Sequence, residues 1–174
     1  MDAERRKPVL RLRRIREEDR EPVRDLLFEH WGAPGVVSRG VLHQAHLYPG
    51  FIAWSSGRIA GLLTYKVTGD RCEIVTLNSF AEGKGVGTRL LRAAERRARS
   101  LGCREIWLIT TNDNIRAIAF YLSRGMRLAR VYPGAIARSR KLKPGIPRRG
   151  MQGLRCEDEI LFVRPLGAVG LRPQ

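Results

Sequence analysis

Three alternate glycines, Gly83, Gly85 and Gly87, stand between a β-rich run, CEIVTLNSF, and a strongly patterned helix. This junction constrains the chain more than any other stretch. In the helix, residues 86–101, Val86, Leu90, Leu91, Ala94, Ala98 and Leu101 share one face and Arg92, Arg96 and Arg99 the other. Gly102 suits its C-terminal cap. Glycine lets the backbone turn tightly and aim successive N–H groups at one point. The helix N-terminus adds a partial positive charge. Together they can hold a phosphate by backbone alone, with Lys84 and Arg89 adding charge. The same residues also suit a plain strand-to-helix turn. A Walker loop is excluded, because Gly87 is followed by Thr88 and the only lysine is Lys84, upstream. A Rossmann fingerprint is excluded too. The loop follows several strands, and its third glycine comes two residues after the second.

The rest of the chain reads as one α+β domain over residues 1–165 with a tail at 166–174. At 174 residues and 43% hydrophobic content it can bury a core without a disulfide or metal staple. Residues 9–15 alternate as a strand should. Residues 16–30 carry Val23, Leu26 and Leu27 at helical spacing, and the run Gly32-Ala-Pro-Gly35 ends that helix. Residues 38–48 suggest a second, weaker helix. Residues 51–55, 58–67 and 71–80, separated by Ser56-Gly57 and Gly69-Asp70, read as an antiparallel meander. Residues 104–110 form an apolar, β-rich run suited to a central strand. Asn114 can cap a helix to residue 124 with Ile115, Ile118, Ala119 and Leu122 inward. Strands at 126–132 and 158–163 follow. Between them lies a long segment, 133–156, with a helical turn or two at 135–142. The fold class is a mixed, mostly antiparallel sheet flanked by helices.

The net charge is +16, from 33 Lys+Arg against 17 Asp+Glu. From Asn114 to Cys156 there are eleven basic residues and no acidic one. Such a face attracts anions (nucleic acid, an acidic partner or a phosphorylated small molecule), or is simply a solvated arginine-rich surface. Cys72, Cys103 and Cys156 have no zinc or redox spacing. No apolar run could span a membrane, and the N-terminus lacks a signal-type apolar core. The expectation is a reduced, cytoplasmic protein. His43 and His46 offer two nitrogens to a metal but no visible third ligand, so no metal is expected.

The second motif, NIRAIAFYLSRGM from Asn114, lies one helix and one strand beyond GKGVGTRLL. The pair resembles the GNAT superfamily of acetyl-CoA-dependent N-acetyltransferases, over about residues 9–125. Residues 135–160, with the acidic triplet Glu157-Asp158-Glu159, resemble a bacterial subgroup that implies no particular acceptor. The resemblance implies that the amides of Gly83, Lys84, Gly85, Val86, Gly87 and Thr88, with Arg89 nearby, hold the coenzyme A pyrophosphate. It implies that Thr76, Leu77 and Asn78 pair with the pantetheine arm and polarise the thioester carbonyl. It places Asn114 as helix cap and cofactor contact, and Tyr121 beside the thioester sulfur. Glu82 departs from the usual Gln or Arg and would repel the pyrophosphate if it pointed inward. Met126 replaces the usual Phe, a mild apolar change.

An amine acceptor is mostly ammonium at neutral pH, so a base is needed. Glu73 is the first choice, because CEIV resembles the strand on which a branch of the superfamily carries its glutamate base. A structural ion pair with Arg58 or Arg104 is the alternative role, and the triplet at 157–159 is the rival base. Trp31 or Trp54 would wall the acceptor site, and Arg138 represents the basic stretch that would bind an anionic acceptor or the 3′-phosphate. Cys72 suits a buried strand better than an acetyl carrier. The acceptor stays open: small amine, amino acid, protein N-terminus or lysine side chain. The expected state is monomer or homodimer. A non-catalytic coenzyme A-binding module that uses its arginines on nucleic acid or an acidic partner is the competing function; nucleic acid is the less favoured partner.

Overall fold

The structure is a computed structural model, described over residues 9–33, 35–81 and 83–167. Seven strands form one sheet in the order β1-β4-β5-β6-β7-β9-β8. They are β1 (Arg11–Arg14), β4 (Gly50–Ser55), β5 (Arg58–Thr68), β6 (Arg71–Ser79), β7 (Glu105–Thr111), β8 (Arg127–Tyr132) and β9 (Glu159–Pro165). A hairpin, β2 (Gly35–Ser38) with β3 (Val41–Gln44), stands apart from the sheet. The helices are α1 (Arg20–Trp31), α2 (Val86–Ser100), α3 (Ile115–Ser123) and α4 (Ala135–Leu142).

Both sheet faces are covered, which is why the middle strands read as continuous apolar runs. Neighbours on one strand point to opposite faces. On one side Ile52 and Leu62 meet Val23 and Leu27 of α1. On the other Ala53 and Leu63 meet Leu90, Leu91 and Ala94 of α2. Gly61 lets α2 sit close on β5, since a Cβ there would fall 2.5 Å from the Val86 side chain. This second core continues through Ile106, Leu108 and Phe162 to Tyr121 of α3.

Two irregularities shape the site. Between β5 and β6, Thr64 faces Thr76 while Tyr65 faces Ile74, so Val75 is an extra residue that bends β6. The pairing of β6 with β7, the parallel pair of the sheet, covers Arg71–Ile74 against Glu105–Leu108 and then stops. Beyond Ile74 the two strands part, and the backbone of β6 faces a gap there.

The expected helix at residues 38–48 is not formed. The segment is the β2–β3 hairpin, followed by a short 3-10 turn at Ala45–Leu47. Val36, Val37 and Val41 are β-branched, and Arg39-Gly40 turns the chain with positive φ at both residues, 50° and 73°. Arg-Gly is a weaker turn signal than Asn-Gly, and the helical spacing of Leu42, Ala45 and His46 masked it.

The inward face of α3 also differs from expectation. Ala117, Ile118 and Phe120 pack on the core beside Tyr121, whereas Ile115 and Leu122 are 44% and 51% exposed. A short helix with apolar residues on both faces does not reveal by periodicity which one it buries. Leu101 lies just past α2 and is exposed, and Leu166, assigned to the tail, is buried with its amide on the Arg104 carbonyl. Residues 168–174 of that tail lie outside the described residues.

Candidate active site

The glycine loop delivers α2 with free N-terminal amides. Gly83 and Gly85 have φ of 72° and 69°, left-handed values that favour glycine. Gly85 is the N-cap of α2, and the first helical bond runs from the Arg89 N–H to its carbonyl at 3.1 Å. The amides of Val86, Gly87 and Thr88 therefore have no intrahelical acceptor. Gly87 passes close to Phe120, 3.3 Å from where a Cβ would stand, so a side chain would crowd the approach to α3. The Thr88 hydroxyl accepts from Arg124 Nε at 2.8 Å, joining α2 to the end of α3. Lys84 and Arg89 are exposed at the loop rim. Glu82, whose direction mattered to the sequence reading, lies outside the described residues.

The gap between β6 and β7 opens into a cleft of about 170 Å³. Glu73, Thr76, Leu77, Asn114 and Tyr121 all line it, so the second motif and the strand meet there. Asn78 follows on β6 but is not among the lining residues. Asn114 Oδ1 accepts the Ala117 amide at 3.1 Å and caps α3. That cap orients Tyr121, which is 8% exposed and wedged between Phe120 and Phe162 at ring distances of 5.3 and 5.8 Å. Burial raises the Tyr121 phenol far above its ordinary pKa.

Glu73 is 9% exposed, and burial raises its carboxyl above the ordinary range. Its neighbours pull it partly back: the Ser38 hydroxyl donates to Oε1 at 3.4 Å, and Lys66, Arg39 and Arg71 contribute positive charge. Neither Arg58 nor Arg104 forms an ion pair with it; Arg104 instead approaches Asp70 at 3.7 Å. His43 comes from the hairpin with Nε2 3.3 Å from Ser38 Oγ and 4.0 Å from Glu73 Oε1. Its Nδ1 lies 3.3 Å from the Tyr48 hydroxyl. Burial lowers the His43 pKa, with Lys66 adding to the effect.

The acidic triplet divides. Glu157 is exposed beside Arg155, and Asp158 accepts the Gly134 amide at 2.8 Å. Glu159 alone lines the cleft. It is 1% exposed, and its oxygens accept the Arg39 amide at 2.9 and 3.2 Å and the Ser139 hydroxyl at 3.0 Å. It fastens the tip of the hairpin.

A second chamber of about 350 Å³ shares Trp31, Val36, Val37, Thr111 and Asn114 with the cleft. Ile136, Ile146, Pro147 and Met151 complete its apolar wall, with Lys143, Asp113 and Cys156 as its ionisable residues. Asp113 Oδ2 accepts the Met151 amide at 3.2 Å, and the Cys156 thiol, pushed up to about 11 mainly by burial, bonds the same side chain. Lys143 Nζ donates to the Gly35 carbonyl at 3.1 Å. Burial lowers its pKa.

Trp31 lines both the cleft and the chamber, and Trp54 packs in the α1-side core. Arg138 does not reach either cavity; it is exposed on the outer face of α4, which turns Ile136 and Ser139 inward. Not every cation of the basic stretch is open surface. Arg140 donates to the carbonyls of Ile146, Pro147 and Cys156, at 3.1, 2.8 and 2.6 Å, and holds the loop together. Ser38, His43 and Lys143 were missed. Recognising the hairpin would have placed the first two opposite Glu73. Among the described residues no cluster of three His, Cys, Asp or Glu could hold a metal ion. Cys72 is buried in β6 with its thiol pushed up to about 12.

Residues 9–126 match the model of the acetyltransferase (GNAT) family. The chain belongs to this family of acetyl-CoA-dependent N-acetyltransferases. It is 44% identical over 139 residues to the uncharacterized protein YdhI of Bacillus subtilis (strain 168), covering 79% of this chain and 87% of YdhI. Among solved structures it resembles an IAA acetyltransferase from Bacillus cereus, with TM-score 0.70 and 20% identity over 90% of this chain and 99% of that one. A Bacillus subtilis acetyltransferase in complex with CoA aligns with TM-score 0.61 and 20% identity, over 91% and 99% of the two chains. No described helix is long and apolar enough to cross a membrane.

Proposed function

We propose that this chain moves an acetyl group from acetyl-CoA directly to a primary amine, with Glu73 as base and Tyr121 as acid. The observation that carries the reading is a buried, pKa-raised Glu73 at the point where β6 leaves β7, across a cleft from Tyr121. Acetyl-CoA, when bound, supplies a thioester carbonyl. The amides of Val86, Gly87 and Thr88 are the groups suited to its pyrophosphate. Residues 75–77 of β6 present backbone to the gap, where a pantetheine arm can add as a further strand and an amide near Leu77 can stabilise an oxyanion.

The proton balance follows from the residues. An alkyl ammonium has a pKa of about 10, so it must lose a proton to attack. Glu73 takes it, helped by a pKa raised toward the working range. The free amine forms the C–N bond, and collapse breaks the C–S bond. The thiolate leaving group, with a pKa of about 8.5 by analogy with cysteine, receives a proton from Tyr121. The surplus amine proton restores the phenol. One proton per turnover leaves through Glu73.

The reading is tested in two parts. Thermal unfolding with and without acetyl-CoA reports binding, since a native-state ligand raises the transition by RT ln(1 + [L]/Kd). Thiol release with an amine panel reports transfer. A melting rise without thiol release for any amine would leave a coenzyme A-binding module in place of the enzyme.

A further inference from the structure

The acceptor's amine and the outer chamber are joined by one short strand, and that strand measures the distance between their polar groups. Ser38, at one end of β2, bonds Glu73. Gly35, at the other end, is the residue whose carbonyl holds Lys143. Three residues of extended chain separate those two points by about 10 Å. Val36 and Val37 lie between them and line both cavities, with Trp31 opposite. An ammonium has three donors, and among the described residues Lys143 spends one, on Gly35. Asp113, the chamber's acid, accepts the Met151 amide through Oδ2, while its buried Oδ1 has no partner among the described residues.

We propose that the acceptor is a small ω-amino acid with an apolar body, its amine at Glu73 and its carboxylate on Lys143. The proposal rests on the acetyl-transfer reading above. A mostly apolar chamber with one placed cation is how small-ligand pockets fix orientation. An α-amine sits on the carbon that bears its carboxylate, so that pair cannot reach both ends. A plain alkylamine fills the apolar walls but leaves the half-buried ammonium without its anion.

The test is a length series with the full chain: glycine, β-alanine, γ-aminobutyrate and ε-aminocaproate, beside hexylamine, L-leucine and a lysine-containing tripeptide. The expected kcat/KM rises with chain length, and ε-aminocaproate exceeds both glycine and hexylamine about 10-fold or more, the size of one charge-assisted hydrogen-bond pair. Lys143→Met brings ε-aminocaproate and hexylamine to within about threefold, and Lys143→Arg restores most of the difference. Glycine, L-leucine, hexylamine or the tripeptide as best substrate would overturn the proposal, and leave acetyl transfer standing. The wild-type series decides the matter even if Lys143→Met does not fold. Should no amine be acetylated, the transfer reading fails separately, and calorimetric titration of ε-aminocaproate and hexylamine into protein saturated with coenzyme A judges the site. Equal binding of the two overturns it; tighter, Lys143-dependent binding of the amino acid supports it.

Discussion

Ser38 and Glu73 are 35 residues apart in sequence and meet at 3.4 Å, so the hairpin that closes the cleft touches the acid at its floor. The contact makes Glu73 sensitive to the hairpin. Glu73→Gln should lower kcat by about 10²–10⁴ with little change in acetyl-CoA affinity. Its effect on stability has a sign. A carboxyl raised in the folded state binds its proton more tightly there, so the group costs stability as pH rises from the unfolded value to the folded one. Glu73→Gln removes that cost. Above the Glu73 pKa the variant should melt no lower than the wild type, and the acid limb of the kcat/KM profile, displaced above the ordinary carboxylate range, should vanish.

Tyr121→Phe keeps the ring between Phe120 and Phe162 and removes one hydroxyl. The expected result is a kcat loss of about 10²-fold with the melting temperature nearly unchanged. The loss should shrink for an acetyl donor whose thiol is more acidic, because such a leaving group needs no proton. An equal loss with both donors would remove the acid role.

Asp19 anchors the other end of the molecule. It is buried, accepts Arg13 Nη2 at 2.7 Å and caps the chain through the Arg16 amide at 2.7 Å. The Arg13 hydrogen bond, above all, lowers its pKa. That stabilisation is present above the unfolded carboxyl pKa and is lost as pH falls through the lower folded value. Asp19→Asn should cost about 2 kcal/mol at pH 7, moderated by the partly exposed Arg13, with a smaller difference from wild type in acid. Denaturant melts at several pH values measure both.

Gly61 couples packing to cofactor binding. An added Cβ would stand 2.5 Å from Val86 and 2.8 Å from the Asn78 carbonyl. Gly61→Ala should cost about 1–3 kcal/mol through overpacking. Because Val86 opens α2, the same change should weaken acetyl-CoA binding, seen as a smaller ligand-induced melting shift. A full shift in the variant would show that the loop amides tolerate movement of the helix.

The sequence was most legible where one residue type has one use. The loop glycines, the Asn114 cap and the single amphipathic face of α2 stand where spacing placed them. Glu73 and Tyr121, singled out by the family resemblance, line one cleft. Legibility failed at residues whose role depends on what lies across from them. Arg39-Gly40 turns a hairpin only because Val36 and Val37 pair with His43 and Leu42. Arg138 and Lys143 lie on or beside the same short helix, and only their angle around it separates solvent from chamber. Arginine counts suggested an anion-binding face, yet Arg140 spends its donors on loop carbonyls.

The β2–β3 hairpin is fastened from the C-terminal third of the chain, by Lys143 at its base and Glu159 at its tip. None of those fastenings touches the glycine loop. Under the proposed reading, the loop that would hold the donor and the segments that would choose the acceptor are separate parts of the polypeptide. On the acceptor reading proposed above, exchanging residues 135–156 would change the amine accepted while the glycine loop stays as it is.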